Sequence, residues 1–318
     1  MRSAPSVVIT DMIVRGFYGP LFTGLDVIEI GLGERMKDLR VVERIYREFL
    51  ELGVDRSTTV WGVGGGIVCD LTGFIASTFM RGLKFGFIPT TLLAQVDAGI
   101  GGKNGINLDG YKNIAGVFRQ PRSIVLSFDF LRTLSDSDIL CGIAEIVKYG
   151  LIKSASLFKF LERNWSALCS LEPRVLKKTV VESIRIKTDI VRKDAEECHE
   201  RKQLNFGHTL GHAIEKLSQV PHGEAVALGM SFAVRLSAAK GFLSEPDARQ
   251  AESLLEKLKR PVPATLSPEL LVRAIHKDKK RRGSRLDFIM LEKIGKARIV
   301  EMSFSELEKS IHDLCQHC

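Results

Sequence analysis

Three of the chain's seven histidines fall in one stretch, LNFGHTLGHAIEKLSQVPHGEAVALGM, residues 204–230. His208 and His212 are four apart and share a helix face. His222 opens HGEAVALGM, a fresh helix start, and each of the three lies beside a glycine. Two imidazoles and one carboxylate form a catalytic zinc set with an open coordination position. The carboxylate could be Glu145, Glu224 or Glu215, and spacing along the chain leaves the choice open. Residue 209 is Thr, so there is no HExxH and a zincin-type protease is disfavoured.

Other residues suit anionic chemistry. In GIAEIVKYG, Glu145 and Lys148 are three apart on one helical face. An isolated pair at this spacing is usually a surface ion pair, but here the flanks are apolar and glycine-bounded, which favours a buried face or a cleft. The segment GIGGKNGINLDGYKN, residues 99–113, combines lysines, asparagines and glycines. It reads as a flexible loop suited to an oxyanion-rich ligand, or as a solvated surface loop. Gly64, Gly65 and Gly66 follow a strand and precede a helix. Such a turn lets backbone approach a phosphate at a helix N-terminus, yet it matches neither the full GxGxxG pattern nor GxxxxGK[ST].

These residues need elements to hold them. At 318 residues the chain exceeds one typical core, so two domains are expected. Charged residues are 26% and hydrophobic ones 45%, as in soluble globular proteins. No apolar run reaches the roughly 18 residues a membrane span needs, and the start lacks the features of a signal peptide. The six cysteines are scattered, apart from Cys315 and Cys318, which suits reduced thiols in the cytoplasm. A net charge of +8 is compatible with nucleic acid, a membrane surface or a small anionic substrate. SVVIT, DVIEIG, TTVWGV, KFGFIPTT and SIVLSFD read as strands alternating with helices, which implies a mostly parallel sheet. From about Leu131 the segments are helical. The expected domains are residues 1–130, α/β, and residues 131–318, helical.

GGGIVCDLTGFIASTFMRG, PTTLLAQVDAGIGGKNGIN, KNIAGVFRQP, AEIVKYGLI, LNFGHTLGHAIE and HGEAVALGM resemble, in order, the motifs of the 3-dehydroquinate synthases, members of the sugar phosphate cyclases. The likeness runs from about Val7 to about Val300. It implies an α/β Rossmann-like NAD-binding domain followed by an all-α domain, a divalent metal (zinc or cobalt), a homodimer, and no nucleic-acid or membrane partner. It implies a carbon–oxygen lyase that converts 3-deoxy-D-arabino-heptulosonate 7-phosphate to 3-dehydroquinate and phosphate, the second step of the shikimate pathway towards aromatic amino acids. By the resemblance, Glu145, His208 and His222 hold the metal. Lys148, Lys187, Arg201, Asn205 and His212 are catalytic positions. Arg81, Asp97, Lys103, Lys112, Asn113 and Lys279 or Lys280 bind substrate, with Arg81 reaching a neighbouring subunit's site. Asp11, Glu34, Lys37, Gly64, Gly65, Gly66, Asp70, Thr90 and Thr91 contact NAD.

Three departures bear on substrate choice or on the sheet. Asn104 replaces a threonine of the family, Ala98 and Gly99 replace a serine pair, and the segment before VVITD is short, so that either the start is trimmed or the sheet's edge is built differently. Asn205, Arg201 and the lysines of HKDKKRRG favour 3-dehydroquinate synthase over cyclases making 2-deoxy-scyllo-inosose or an epi-valiolone. A metal-dependent glycerol or alcohol dehydrogenase shares the architecture but would form NADH and has less need of phosphate-binding cations. The basic run HKDKKRRGSR lacks a recognised nucleic-acid module or interleaved aromatics.

Overall fold

The computed structural model describes residues 5–218, 220–258, 267–279 and 285–315. The chain divides into two compact units, Met1–Ile139 and Leu140–Cys318. The division falls within the first turns of a helix, Asp136–Lys153, rather than at residue 130.

The N-terminal unit contains β1 (Ser6–Asp11), α1 (Met12–Tyr18), β2 (Asp26–Ile30), α2 (Leu39–Glu51), β3 (Thr59–Gly64), α3 (Gly66–Thr78), β4 (Lys84–Pro89), β5 (Lys103–Leu108), β6 (Tyr111–Phe118) and β7 (Ser123–Ile124). A five-stranded sheet runs in the order β2-β1-β3-β4-β7, with every pairing parallel. Parallel strands are covered on both faces, so they read as continuous apolar runs. Val7, Val8 and Ile9 are accordingly all buried. Val7 and Ile9 pack with Val42, Ile45 and Phe49 of α2 and with Leu71 and Ile75 of α3. Val8 joins Val14 and Phe22 on the opposite face.

Register aligns the carboxyl ends of the strands. Asp11 pairs with Ile30, Thr10 with Val63, and Gly64 with Pro89. The carboxyl edge of an open parallel sheet is where such folds take ligands. Asp11, Gly64, Gly65, Gly66, Thr90 and Thr91 all lie along it. The glycines there permit close packing. A Cβ on Gly64 would stand 2.4 Å from Val68, and one on Gly65 would stand 3.2 Å from Thr91.

The stretch expected to be a flexible loop is instead an antiparallel hairpin of β5 and β6. Asp109 and Gly110 form its turn with φ of 50° and 78°, the left-handed pair that a two-residue hairpin turn requires. Asn104 is buried at the base of the hairpin. Its Nδ2 donates to the carbonyls of Gly102 at 3.0 Å and Arg119 at 2.9 Å. Its Oδ1 fills the space where a side chain on Gly73 would stand, 1.8 Å from that position. The residue is therefore part of the scaffold.

The C-terminal unit carries most of α4 (Asp136–Lys153), then α5 (Ala155–Arg163), α6 (Trp165–Cys169), α7 (Pro173–Lys193), α8 (His208–Ser218), α9 (His222–Ala239), α10 (Glu245–Leu255), α11 (Pro268–Lys279), β8 (Arg285–Lys293), β9 (Lys296–Ser303) and α12 (Phe304–Cys315). Helix α9 is apolar on almost every side and buried along most of its length, as a central helix should be. The unit is mainly helical, but it is not all-α. The strands β8 and β9 form an antiparallel hairpin that turns at Gly295, with φ of 85°. The N–H of Gly295 donates to the Leu151 carbonyl at 2.8 Å, anchoring the turn to α4.

The buried contacts of Asn104 yield a test. Asn104→Ala strands two carbonyls and should cost about 1–3 kcal/mol in denaturant unfolding, with substrate preference unchanged. Altered preference at unchanged stability would contradict this scaffold role.

Candidate metal centre and anion-binding residues

Helix α4 contributes the centre's carboxylate. Glu145 is fully buried, and Lys148, one turn on, is 1% exposed. Lys148 Nζ and Glu145 Oε2 form an ion pair. Breaking a buried pair by removing one partner typically costs about 3–5 kcal/mol, so each charge depends on the other.

Helix α8 contributes His208, whose Nε2 lies 3.5 Å from Glu145 Oε1. Helix α9 contributes His222, whose Nε2 lies 3.6 Å from the same oxygen. One ligand atom from each of Glu145, His208 and His222 lies within 4.8 Å of the others. The three residues left open on spacing thus separate. Glu145 joins the histidines, while Glu224 is buried along α9 and Glu215 contacts the far side of the His222 ring, at Nδ1 and 3.2 Å. His208 Nδ1 lies 3.1 Å from the Phe206 carbonyl, which can only accept. His208 Nδ1 therefore carries the proton and Nε2 presents a lone pair to the centre.

Burial, and then the Lys148 ammonium, push the His208 pKa well below 6.5. Burial alone would also lower His222, but Glu145 and Glu215 outweigh it and raise its pKa to about 9. Both carboxylates thus favour positive charge at this place beside Glu145. Two imidazole nitrogens and one carboxylate, with a second cation at Lys148, fit a divalent ion by donor type and by number.

The glycines beside the histidines allow three helices to meet. Gly207 has φ of 78°, and a Cβ there would stand 2.8 Å from the Met230 backbone nitrogen. On Gly211 it would stand 3.0 Å from the Ala225 carbonyl, and on Gly223 2.4 Å from the Cys141 Cα. The Gly223 N–H also donates to Cys141 Sγ at 3.3 Å. The His212 ring stands edge-on to His208, with centroids 5.1 Å apart. His212 is exposed and lies outside the ligand set.

The turn that leads into α8 is organised by Asp194. Its carboxylate accepts from the N–H groups of Cys198 at 2.9 Å, His199 at 2.7 Å and Arg201 at 3.0 Å. Burial would raise its pKa, but these donors hold it below the usual 3.8. Arg201 is 2% exposed, and its guanidinium donates to the Ala195 carbonyl. Lys187 of α7 is likewise buried. Asn205 Nδ2 donates to Glu197 Oε1 at 2.7 Å. Glu197 has φ of 62°, a conformation uncommon for a residue with a side chain. Neither Asp194 nor Glu197 sits in a motif that spacing would single out.

In the N-terminal unit, Lys37 is 4% exposed and donates to Asp70 Oδ2 at 2.6 Å and to Asn113 Oδ1. Glu34 lies 3.9 Å from Lys37 and accepts from Asn107 Nδ2 at 2.9 Å. The N–H of Asn113 donates to Asn107 Oδ1 at 2.8 Å. Residues expected on cofactor and on substrate thus share one network. Asp97 is half-buried, while Lys103 and Lys112 are exposed on the hairpin. Arg81 is exposed, with φ of 63° between Met80 at 48° and Gly82 at 118°. Lys279 ends α11, and Lys280 lies outside the described residues.

Gly223→Ala tests the role of the glycines. The added methyl meets backbone, so α9 must shift from α4. We expect about 1–3 kcal/mol of lost stability and weaker metal binding by titration. Unchanged metal affinity would contradict the claim that this contact places His222.

Models of the 3-dehydroquinate synthase N-terminal and C-terminal regions match residues 27–141 and 142–281. A 3-dehydroquinate synthase of Thermoanaerobacter pseudethanolicus is 39% identical, covering 97% of this chain and 90% of the relative. Among solved structures, 2-epi-5-epi-valiolone synthase from Streptomyces hygroscopicus subsp. jinggangensis, with NAD+ and Zn2+ bound, superposes with TM-score 0.89. It is 26% identical, over 99% of this chain and 92% of that one. A 2-deoxy-scyllo-inosose synthase complexed with carbaglucose-6-phosphate, NAD+ and Co2+ gives 0.88 at 25% identity, over 97% and 90%. The family models and the relative together span nearly the whole chain, which belongs to the 3-dehydroquinate synthase family.

Proposed function

We propose that the chain converts 3-deoxy-D-arabino-heptulosonate 7-phosphate to 3-dehydroquinate and inorganic phosphate. The observation that carries this reading is the buried carboxylate–imidazole centre, Glu145, His208 and His222, in a unit that also buries Lys148, Lys187 and Arg201. Burying so many ionisable groups is costly unless they are paired or matched to a ligand. A substrate carrying a carboxylate and a phosphate provides such a match.

In this reading Glu145, His208 and His222 hold a divalent ion, zinc or cobalt, which when bound supplies a Lewis acid towards the substrate hydroxyls. NAD held at the sheet edge would supply a reversible hydride acceptor for the substrate's C4, so that the overall reaction is redox-neutral. The carboxyl edge of the sheet, with Asp11, Gly64, Gly65, Gly66, Thr90 and Thr91, takes the cofactor. Glu34, Lys37 and Asp70 extend that site. Lys148, Lys187 and Arg201 balance substrate charge as the C5 proton and the phosphate leave. Asn205 and His212 orient the substrate. Asp97, Lys103, Lys112, Asn113 and a lysine of the 279–280 pair complete the contacts. Because the departing phosphate can itself carry the C5 proton, the site has no need of a strong protein base.

We further place the protein in the cytoplasm as a homodimer in which Arg81 serves the neighbouring subunit's site. The exposed side chain of Arg81 and its unusual backbone support that role. The competing reading, a cyclase acting on a different sugar phosphate, draws on the similarity to the valiolone and inosose synthase structures. The 39% identity to a 3-dehydroquinate synthase and the scaffold position of Asn104 weigh against it.

The test is a coupled assay. With the heptulosonate phosphate, phosphate and 3-dehydroquinate should appear in equal amounts while NADH absorbance stays flat. A chelator should abolish turnover, and added Zn2+ or Co2+ should restore it. Preference for sedoheptulose 7-phosphate, or net NADH formation with glycerol, would overturn the assignment.

A further inference from the structure

Glu215 is two turns along α8 from His208, on the same face. Its Oε2 lies 3.2 Å from His222 Nδ1. The opposite nitrogen of that ring, Nε2, faces Glu145 Oε1 at 3.6 Å. His222 is therefore held between two carboxylates. One belongs to the ligand group, and the other lies behind the ring. His208 is held differently, since a backbone carbonyl stands behind it.

We propose that Glu215 is a positioning residue for the metal centre. It accepts the Nδ1 proton of His222, fixes the tautomer whose Nε2 lone pair faces the ion, and makes that nitrogen a stronger donor. Carboxylates behind ligating imidazoles act in this way in metal sites generally, and their loss typically weakens metal binding by about 10–100-fold. With the Lys148 ammonium counted, Glu145 and Glu215 offset two of the three positive charges of the loaded site and leave one for an anionic substrate to meet. Helix α8 thus serves both histidines, bearing one ligand itself and the partner of the other. The inference rests on the reading of Glu145, His208 and His222 as metal ligands.

The test measures Zn2+ affinity by competition with a chromophoric chelator, independently of turnover. Its variants are Glu215→Ala, Glu215→Gln and, as a marker for the centre itself, Glu145→Gln. Glu215→Ala should bind Zn2+ about 10–100-fold more weakly than wild type. Glu215→Gln should fall between the two, because its amide oxygen still accepts the Nδ1 proton but carries no charge. Glu215→Gln also nearly matches the native side chain in shape, so it reads the loss of charge should the alanine variant fail to fold. In zinc-loaded protein, 15N NMR of the histidine rings should show His222 protonated at Nδ1 in wild type and that signature lost or mixed in Glu215→Ala. Wild-type affinity and an unchanged ring signature in the Glu215 variants would overturn the role of Glu215 alone. Equal binding by wild type and Glu145→Gln would instead overturn the metal reading.

Discussion

A fully buried carboxylate must be compensated, and the C-terminal unit depends on how Glu145 is compensated. An isolated charge in a protein interior is too costly to persist. Glu145 meets this constraint with the Lys148 ammonium and two imidazole rings. The elevated pKa of His222 expresses the same demand for positive charge. A divalent ion answers it with chemistry in addition. Lys148 then stands as a second cation beside the ligand set, where an anionic substrate would bring further negative charge.

Three helices must approach closely to build that arrangement. The glycines at 207, 211, 223 and 229 permit it. At Gly229 a Cβ would come within 1.9 Å of the Gly207 carbonyl oxygen, a distance no side chain tolerates. Helix α8 can then bear His208 and Glu215 against α9, and α9 can open on His222 against Cys141 of α4. In the N-terminal unit, close packing at Gly62 and Gly64 seats α3 on the sheet, Gly73 of α3 makes room for Asn104 of the hairpin, and parallel register brings the strand ends into line. In both units small residues set the distances at which polar groups meet.

Much of this was legible in the sequence. Parallel strands announced themselves as β-branched runs, and the cluster of three histidines pointed to the centre, although the pair that shares a helix face is not the ligand pair: His222 of the next helix, not His212, joins His208. The choice of carboxylate was not legible, because Glu145, Glu215 and Glu224 sit on separate helices or faces whose approach depends on packing. The resemblance supplied Glu145, and the structure brings it to the histidines. The loop at residues 99–113 was read from its composition. Its Asp109–Gly110 pair was nonetheless a hairpin signal, and the surrounding lysines and asparagines obscured it. The β8–β9 hairpin follows a basic run, and its first strand alternates only at the start, with Leu286 and Phe288 buried about exposed Asp287, before Phe288, Ile289, Met290 and Leu291 run on as continuously buried residues, which blurs the period of two. Glu197 owes its prominence to backbone conformation, which no spacing rule encodes. Asn104 looked like a substrate determinant in the sequence, yet it packs as scaffold because its amide satisfies two carbonyls over a glycine.

The central claim is that Glu145, His208 and His222 together bind one divalent ion. Anomalous diffraction from crystals of the zinc-loaded protein, collected above and below the zinc absorption edge, tests it most directly. The account predicts a single strong edge-dependent peak bounded by a Glu145 carboxylate oxygen, His208 Nε2 and His222 Nε2, at ordinary zinc–ligand distances of about 2.0–2.2 Å. A zinc peak elsewhere, with none among these three side chains, would contradict it.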